Sequence, residues 1–155
     1  MNGLSLPTYN IKVRENKGRR QIYDFLRRKY VALTPEEWVR QHFVHYLSEH
    51  LGYPKGLMGN EIALHVGEKR LRCDTVVYDR SLRPVMIVEY KSPEVELSQG
   101  VLDQALAYNA LLRVDYIVVS NGLQHVCCRM DYALRRYVFV SEIPAYSEVM
   151  NEKYD

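Results

Sequence analysis

The chain has 155 residues, of which 47% are hydrophobic and 26% charged, and its formal net charge is +2. That mixture suits one soluble globular domain with a core of its own. No run reaches the roughly 18 apolar residues of a membrane span. The opening Met-Asn-Gly-Leu-Ser-Leu-Pro lacks the apolar stretch of a signal peptide. Three cysteines, two of them adjacent at Cys127 and Cys128, form neither a disulfide framework nor a zinc pattern, so the expected setting is a reducing cytoplasm.

Taken in chain order, residues 1–30 read as a basic N-terminal arm, with a short strand at Tyr9 to Val13 and a helical turn from Ile22 to Arg28. Between Lys12 and Tyr30 eight basic residues stand against Glu15 and Asp24, a local charge of +6 that leaves −4 for the remainder. Lys17, Arg19, Arg20, Arg27, Arg28 and Lys29 are the candidates for phosphate contacts in this block. A solvated face explains the same charges.

The core is expected over 31–140. Thr34-Pro35-Glu36-Glu37 is a helix start, with Thr34 as cap, Pro35 at the first position and Glu37 completing a capping box. Val39, Phe43, Tyr46 and Leu47 share one face of that helix, His42 and His45 read as its surface residues, and Gly52 with Pro54 ends it. Ile62, Leu64 and Val66 alternate with polar neighbours as a half-buried strand. A hairpin follows, pairing Thr75–Tyr78 with Val85–Val88 across the polar turn 79–84, with Asp74 at the opening of its first strand. A second helix is expected from about Glu96 to Leu112, its core stripe running through Leu97, Val101, Ala105, Tyr108 and Leu112. Tyr116 to Ser120 is a short apolar strand, Asn121-Gly122 a hairpin turn, and His125 to Met130 and Tyr137 to Val140 are returning strands. Residues 141–155 form a tail. The fold class is therefore α/β, a mixed sheet with helices packed on it, as a single domain over 1–155.

Asp74, Glu89 and Lys91 carry the most chemistry. Side chains alternate along a strand, so Glu89 and Lys91 share a face while Tyr90 points opposite. Antiparallel pairing brings Asp74 beside the end of the second hairpin strand. Two readings are open. A Glu and a Lys at i and i+2 form a solvated ion pair worth little. Alternatively, two carboxylates ending an apolar strand bind a hard divalent cation, since buried charges are costly unless paired or metal-bound. Cys73, beside Asp74, is expected in the core.

In their order, Asp74 and Glu89-Tyr90-Lys91 on strands after a first helix, then Gln104-Ala-Leu-Ala-Tyr108 on the next helix, resemble the PD-(D/E)XK nuclease superfamily. From about Tyr30 to Cys128 the chain is similar to the N-terminal nuclease domain of type I restriction enzyme R subunits in a short stand-alone form. Leu-Thr-Pro-Glu-Glu-Trp-Val-Arg-Gln, Leu-Gly-Tyr-Pro-Lys-Gly and Ser-Asn-Gly-Leu-Gln-His carry that similarity. The resemblance implies a restriction-endonuclease-like sheet in the order α-β-β-β-α-β, a bacterial source, and Mg2+ or Mn2+ held by Asp74, Glu89 and the Tyr90 carbonyl. Lys91 would act on the attacking water or the transition-state charge. Gln104 and Tyr108, four apart on one helix face, would sit beside the metal and DNA, although Tyr108 also lies on the apolar stripe. A first-helix acid is implied as well. Glu37 is the candidate, equally explained by its capping box, and Glu49 is a weaker contender. The pattern departs from the superfamily at Cys73, which stands where its name has Pro, and no P-loop motor is present in these 155 residues.

Two functions follow. One is a Mg2+-dependent endonuclease acting on DNA, with motor, specificity or other restriction subunits as partners. The other is a nucleic-acid-binding or assembly module that keeps the fold without turnover.

Overall fold

A computed structural model describes residues 3–154. Three antiparallel strands, β1 (Val13–Asn16), β2 (Arg19–Asp24) and β3 (Lys29–Ala32), form a small sheet in sequence order. The arm expected over this segment is thus a folded meander. Its turns place Lys17, Gly18 and Arg28 at positive φ.

Helix α1 (Pro35–Glu49) begins where the sequence predicts, with Thr34 Oγ accepting the Glu37 N–H at 3.0 Å. The expected capping box is only half made, because the Glu37 carboxylate turns to Arg40 and Gln41. A single 3-10 turn (Lys55–Leu57) leads to the main sheet. Its six strands lie in sequence order: β4 (Met58–Val66), β5 (Lys69–Tyr78), β6 (Pro84–Tyr90), β7 (Tyr116–Ser120), β8 (His125–Asp131) and β9 (Arg136–Val140). Only β6 and β7 pair in parallel, because helix α2 (Gln99–Ala110) makes the crossover between them. A last helix, α3, spans Tyr146–Tyr154. The α-β-β-β-α-β order and the mixed sheet flanked by helices match the expectation.

Alternation along the central strands splits the core between the two faces. Val39, Phe43 and Leu47 of α1 pack in one cluster with Met86, Val88, Tyr90 and Val118. Val76, Ile87 and Ile117 pack in another with Leu106 of α2. Phe43 is fully buried, and truncating such a ring to alanine costs about 3–5 kcal/mol. The α2 stripe is shifted from the expected one: Leu102, Ala105, Leu106 and Asn109 are its buried residues, and Tyr108 is 40% exposed.

The N-terminal segment lies across α1 and the β7–β8 turn. Ser5 N–H donates to the Gly122 carbonyl at 2.8 Å. Gly122 sits at φ +86°, where a Cβ would fall 2.7 Å from Leu4 and 3.0 Å from Val39, so only glycine lets that segment close. Tyr9 packs beside His42 and His45, and Phe25 covers His45 at 4.2 Å. His42 is therefore buried and His45 nearly so, a correction to their reading as surface residues. Among the described residues no helix is long and apolar enough to cross a membrane.

Candidate active site

Strands β5 and β6 part company at one point. Their pairing ends at Thr75 opposite Val88, while β5 continues its ladder with β4 to Lys69 and β6 continues with β7 to Tyr90. The fork leaves backbone groups without strand partners, and buried ones must be satisfied otherwise. Asp74 lies here, in the middle of the ten-residue β5 and not at its opening as expected, because Leu71 and Cys73 extend the buried alternation past the charged positions. Its Oδ2 accepts the Tyr90 N–H at 2.9 Å, and its own carbonyl accepts from Arg40 Nη1 at 2.9 Å.

A cleft of about 190 Å³ opens at the fork, lined by Thr34, Glu36, Glu37, Arg40, Glu61 and Asp74, with Tyr90. Burial pushes the Asp74 carboxyl above its ordinary range, and the nearby Glu89 adds to this against the Tyr90 N–H and Arg40, which pull the other way. Glu89 follows Val88 on β6 across from Asp74, and its Oε2 lies 3.4 Å from Lys91 Nζ. Lys91 is anchored by its backbone, which donates to the Ser120 carbonyl at 2.8 Å. The structure thus brings Asp74, Glu89, Tyr90 and Lys91 to the fork, where Asp74 and Tyr90 line the cleft and Glu89 and Lys91 lie outside its lining.

Glu37 reaches the cleft but is not a bare acid. Its carboxylate forms two bonds with Arg40, at 2.6 and 2.8 Å, and accepts from Gln41 at 2.9 Å. Glu49 lies at the other end of α1, about 18 Å along the axis at 1.5 Å per residue, and is half exposed beside His45. On α2, Gln104 is exposed. Tyr108 Oη accepts the Arg72 N–H at 2.9 Å and lies 3.3 Å from the Arg72 carbonyl, pinning α2 to β5. Among the basic candidates, Lys17, Arg19, Arg20, Arg28 and Lys29 are exposed. Arg27 is committed to Asp24, at 2.6 Å, and approaches Glu37 at 3.6 Å.

The chain's reading by sequence missed three groups. Arg40 binds Glu37, the Asp74 carbonyl and Glu61, the last at 2.8 Å. Burial works against its charge, but Glu37 and then Glu61 outweigh that and hold the guanidinium protonated. Glu61 has φ +55°, which for a residue with a Cβ is strain of the kind found at functional sites. Beneath the cleft runs a buried polar chain. Asn60 donates to Asp24 at 3.1 Å, Thr75 donates to Asn60 at 2.7 Å, and Tyr90 Oη donates to Thr75 at 2.8 Å. No periodicity announces these residues.

Residues 35–144, well over half of the chain, match the family described as type I restriction enzyme R protein N terminus. The chain belongs to that family. The fold is also similar to a solved fragment of a protein described as an HsdR subunit of a type I restriction enzyme from Vibrio vulnificus YJ016, with a TM-score of 0.55 and 20% identity. That likeness covers 78% of this chain and 25% of the other, so the chain corresponds to about a quarter of that relative's length. No curated protein matches.

Whether the residues suit a divalent cation is a matter of donor chemistry. Among the described residues no cluster of three His, Cys, Asp or Glu side chains is arranged to hold a metal. Mg2+ does not need one: it binds through one or two carboxylates, with water and substrate phosphate oxygens completing its shell. Asp74 and Glu89 at the fork, with hard oxygens and a buried carboxyl that resists ionising alone, fit that pattern.

Proposed function

We propose that this chain is a Mg2+-dependent DNA endonuclease of the type I restriction R-subunit N-terminal kind, acting in the cytoplasm with motor, specificity or other restriction subunits. The observation that carries this reading is the β5–β6 fork, with Asp74 across from Glu89 and Lys91 at 3.4 Å from Glu89 in a member of this family. Asp74, Glu89 and the Tyr90 carbonyl would hold the ion, which when bound neutralises phosphate charge and acidifies water. The Asp74–Tyr90 hydrogen bond holds the carboxylate on the Glu89–Tyr90 peptide, and the Lys91 N–H bond to Ser120 holds the next peptide, which carries the Tyr90 carbonyl. Lys91 orients the attacking water and offsets charge developing on the phosphate oxygens. Arg40 holds Glu37 and the Asp74 peptide in place. Gln104 flanks the DNA from α2.

The test is calorimetric titration with Mn2+ beside an Asp74→Ala variant, followed by plasmid cleavage in Mg2+. Saturable binding lost in the variant, with strand scission that needs both Asp74 and Lys91, is the expected result. Absence of metal binding even with DNA present, together with intact plasmid, would leave a fold retained for binding or assembly without turnover.

A further inference from the structure

The outer face of the β1–β3 sheet carries an aromatic and cationic array that the cleft does not use. Register sets Arg14 opposite Gln21 and Tyr23 opposite Tyr30. These side chains lie on the face opposite the buried Ile22 and Asp24. The Arg14 guanidinium lies 3.8 Å over the Tyr30 ring and its Nε donates to Gln21 at 2.8 Å. Tyr23 meets Tyr30 edge-on, with centroids 5.2 Å apart. Arg19 shares this face by alternation and is exposed.

Neither tyrosine belongs to any of the hydrophobic clusters; both are only half-buried. The charge around them is one-sided. The segment from Lys12 to Tyr30 carries +6, and one of its two acids, Asp24, is buried and neutralised by Arg27.

We infer that this face binds single-stranded DNA, with unpaired bases stacking on Tyr23 and on the Arg14–Tyr30 layer while Arg19 and its neighbours take phosphates. A basic sheet with half-buried rings on its outer face suits unpaired bases, because every base has a face to stack and a duplex hides those faces. Duplex binding by the cations alone would leave the rings unused. The position fits the proposed nuclease and deepens that reading. Tyr23 precedes Asp24, whose partner Arg27 reaches Glu37 in the cleft, and Thr34, two residues beyond β3, lines it. The cleft thus borders the opposite face of the sheet that would hold the strand.

The experiment is fluorescence anisotropy of the full chain with a labelled 12-nucleotide oligo(dT) and with a duplex of the same length, in EDTA. The chelator removes any metal-dependent step, so a failed nuclease reading and a failed binding reading separate. The expected result is at least a tenfold preference for the single strand. Tyr23→Leu and Tyr30→Leu should each weaken it about tenfold, as loss of one stacked base does, with the slope against salt unchanged. Tyr30→Phe should bind as the parent does. Arg19→Gln should lower the salt slope by about one contact. Equal or tighter duplex binding, or leucine variants that bind like the parent, overturns the inference. A loss in Tyr30→Phe equal to that in Tyr30→Leu overturns the stacking role.

Discussion

The carboxylate of Asp74 accepts the backbone N–H of Tyr90 at 2.9 Å, and this bond stands where a β5–β6 ladder bond would otherwise be. One side chain thus closes the fork and supplies a charge to it. The arrangement has a cost, since burial raises the carboxyl above its ordinary range.

Asp74→Asn keeps an acceptor for the Tyr90 N–H and removes the charge. A carboxyl whose folded-state pKa is raised is ionised more readily in the unfolded chain, so it lowers stability as pH rises from the unfolded value through the folded one. The variant is therefore expected to melt above the parent at pH 7 without metal, with the gap narrowing toward pH 4. Saturating Mn2+ should raise the melting temperature of the parent alone. Differential scanning calorimetry at several pH values checks this, and a variant less stable than the parent at pH 7 contradicts it.

Arg40 supports the same fork from the other side. It is 8% exposed and binds Glu37 and Glu61. Arg40→Ala therefore leaves the buried Glu37 with Gln41 and the more distant Arg27, Glu61 with Arg72, and the Asp74 carbonyl without its donor. Removing one partner of a buried ion pair costs about 3–5 kcal/mol. Urea denaturation of Arg40→Ala should show a loss of that size, and a loss below about 1 kcal/mol would mean the cleft relaxes around the gap.

What could be read in the chain divides by how local its cause is. The cap at Thr34 and the β5–β6 hairpin follow from a few adjacent residues and form as expected, while Asn121-Gly122 opens a four-residue turn between β7 and β8. The Glu89–Lys91 pairing follows from strand alternation. By contrast, β2 hides among charges, because only Ile22 and Asp24 of its six residues are buried. Arg40 meets Asp74 across 34 positions, and the positive φ of Glu61 has no signature in its side chain. His45 reads as exposed on α1 because what covers it, Tyr9 and Phe25, lies 36 and 20 positions earlier.

Lys91 is about one-third exposed, so its removal should hardly alter folding. Lys91→Ala is expected to stay within about 0.5 kcal/mol of the parent and to bind Mn2+ as the parent does. Its single-turnover cleavage should fall about 10²–10³-fold, as when one donor to a developing charge is lost. Cleavage at the parent's rate would reduce Lys91 to an ion-pair partner for Glu89.

The two α2 residues are expected to separate by assay. Tyr108→Phe loses the contacts to the Arg72 backbone and should lose about 1 kcal/mol of stability. Gln104 is exposed, so Gln104→Ala should be neutral within about 0.5 kcal/mol while weakening cleavage. Denaturation and cleavage measured on both variants decide it. If Gln104→Ala cleaves like the parent, α2 contributes architecture alone.

Acid should loosen the C-terminal half of α1 and its covering segment. Burial lowers the pKa of His42, His45 and His125. The Trp38 carbonyl at 2.8 Å opposes this for His42, as Glu49 does for His45 and the Ser5 carbonyl for His125. A histidine with a depressed folded-state pKa adds stability that is complete above the unfolded value near 6.5 and is lost as pH falls through the folded one. Unfolding free energy should therefore decline from about pH 6.5 downward. Each histidine adds at most about 1.4 kcal/mol per pH unit to that slope. His125→Gln should flatten the decline by removing one titrating ring. If its slope between pH 7 and 5 equals the parent's, His125 is not held neutral in the fold.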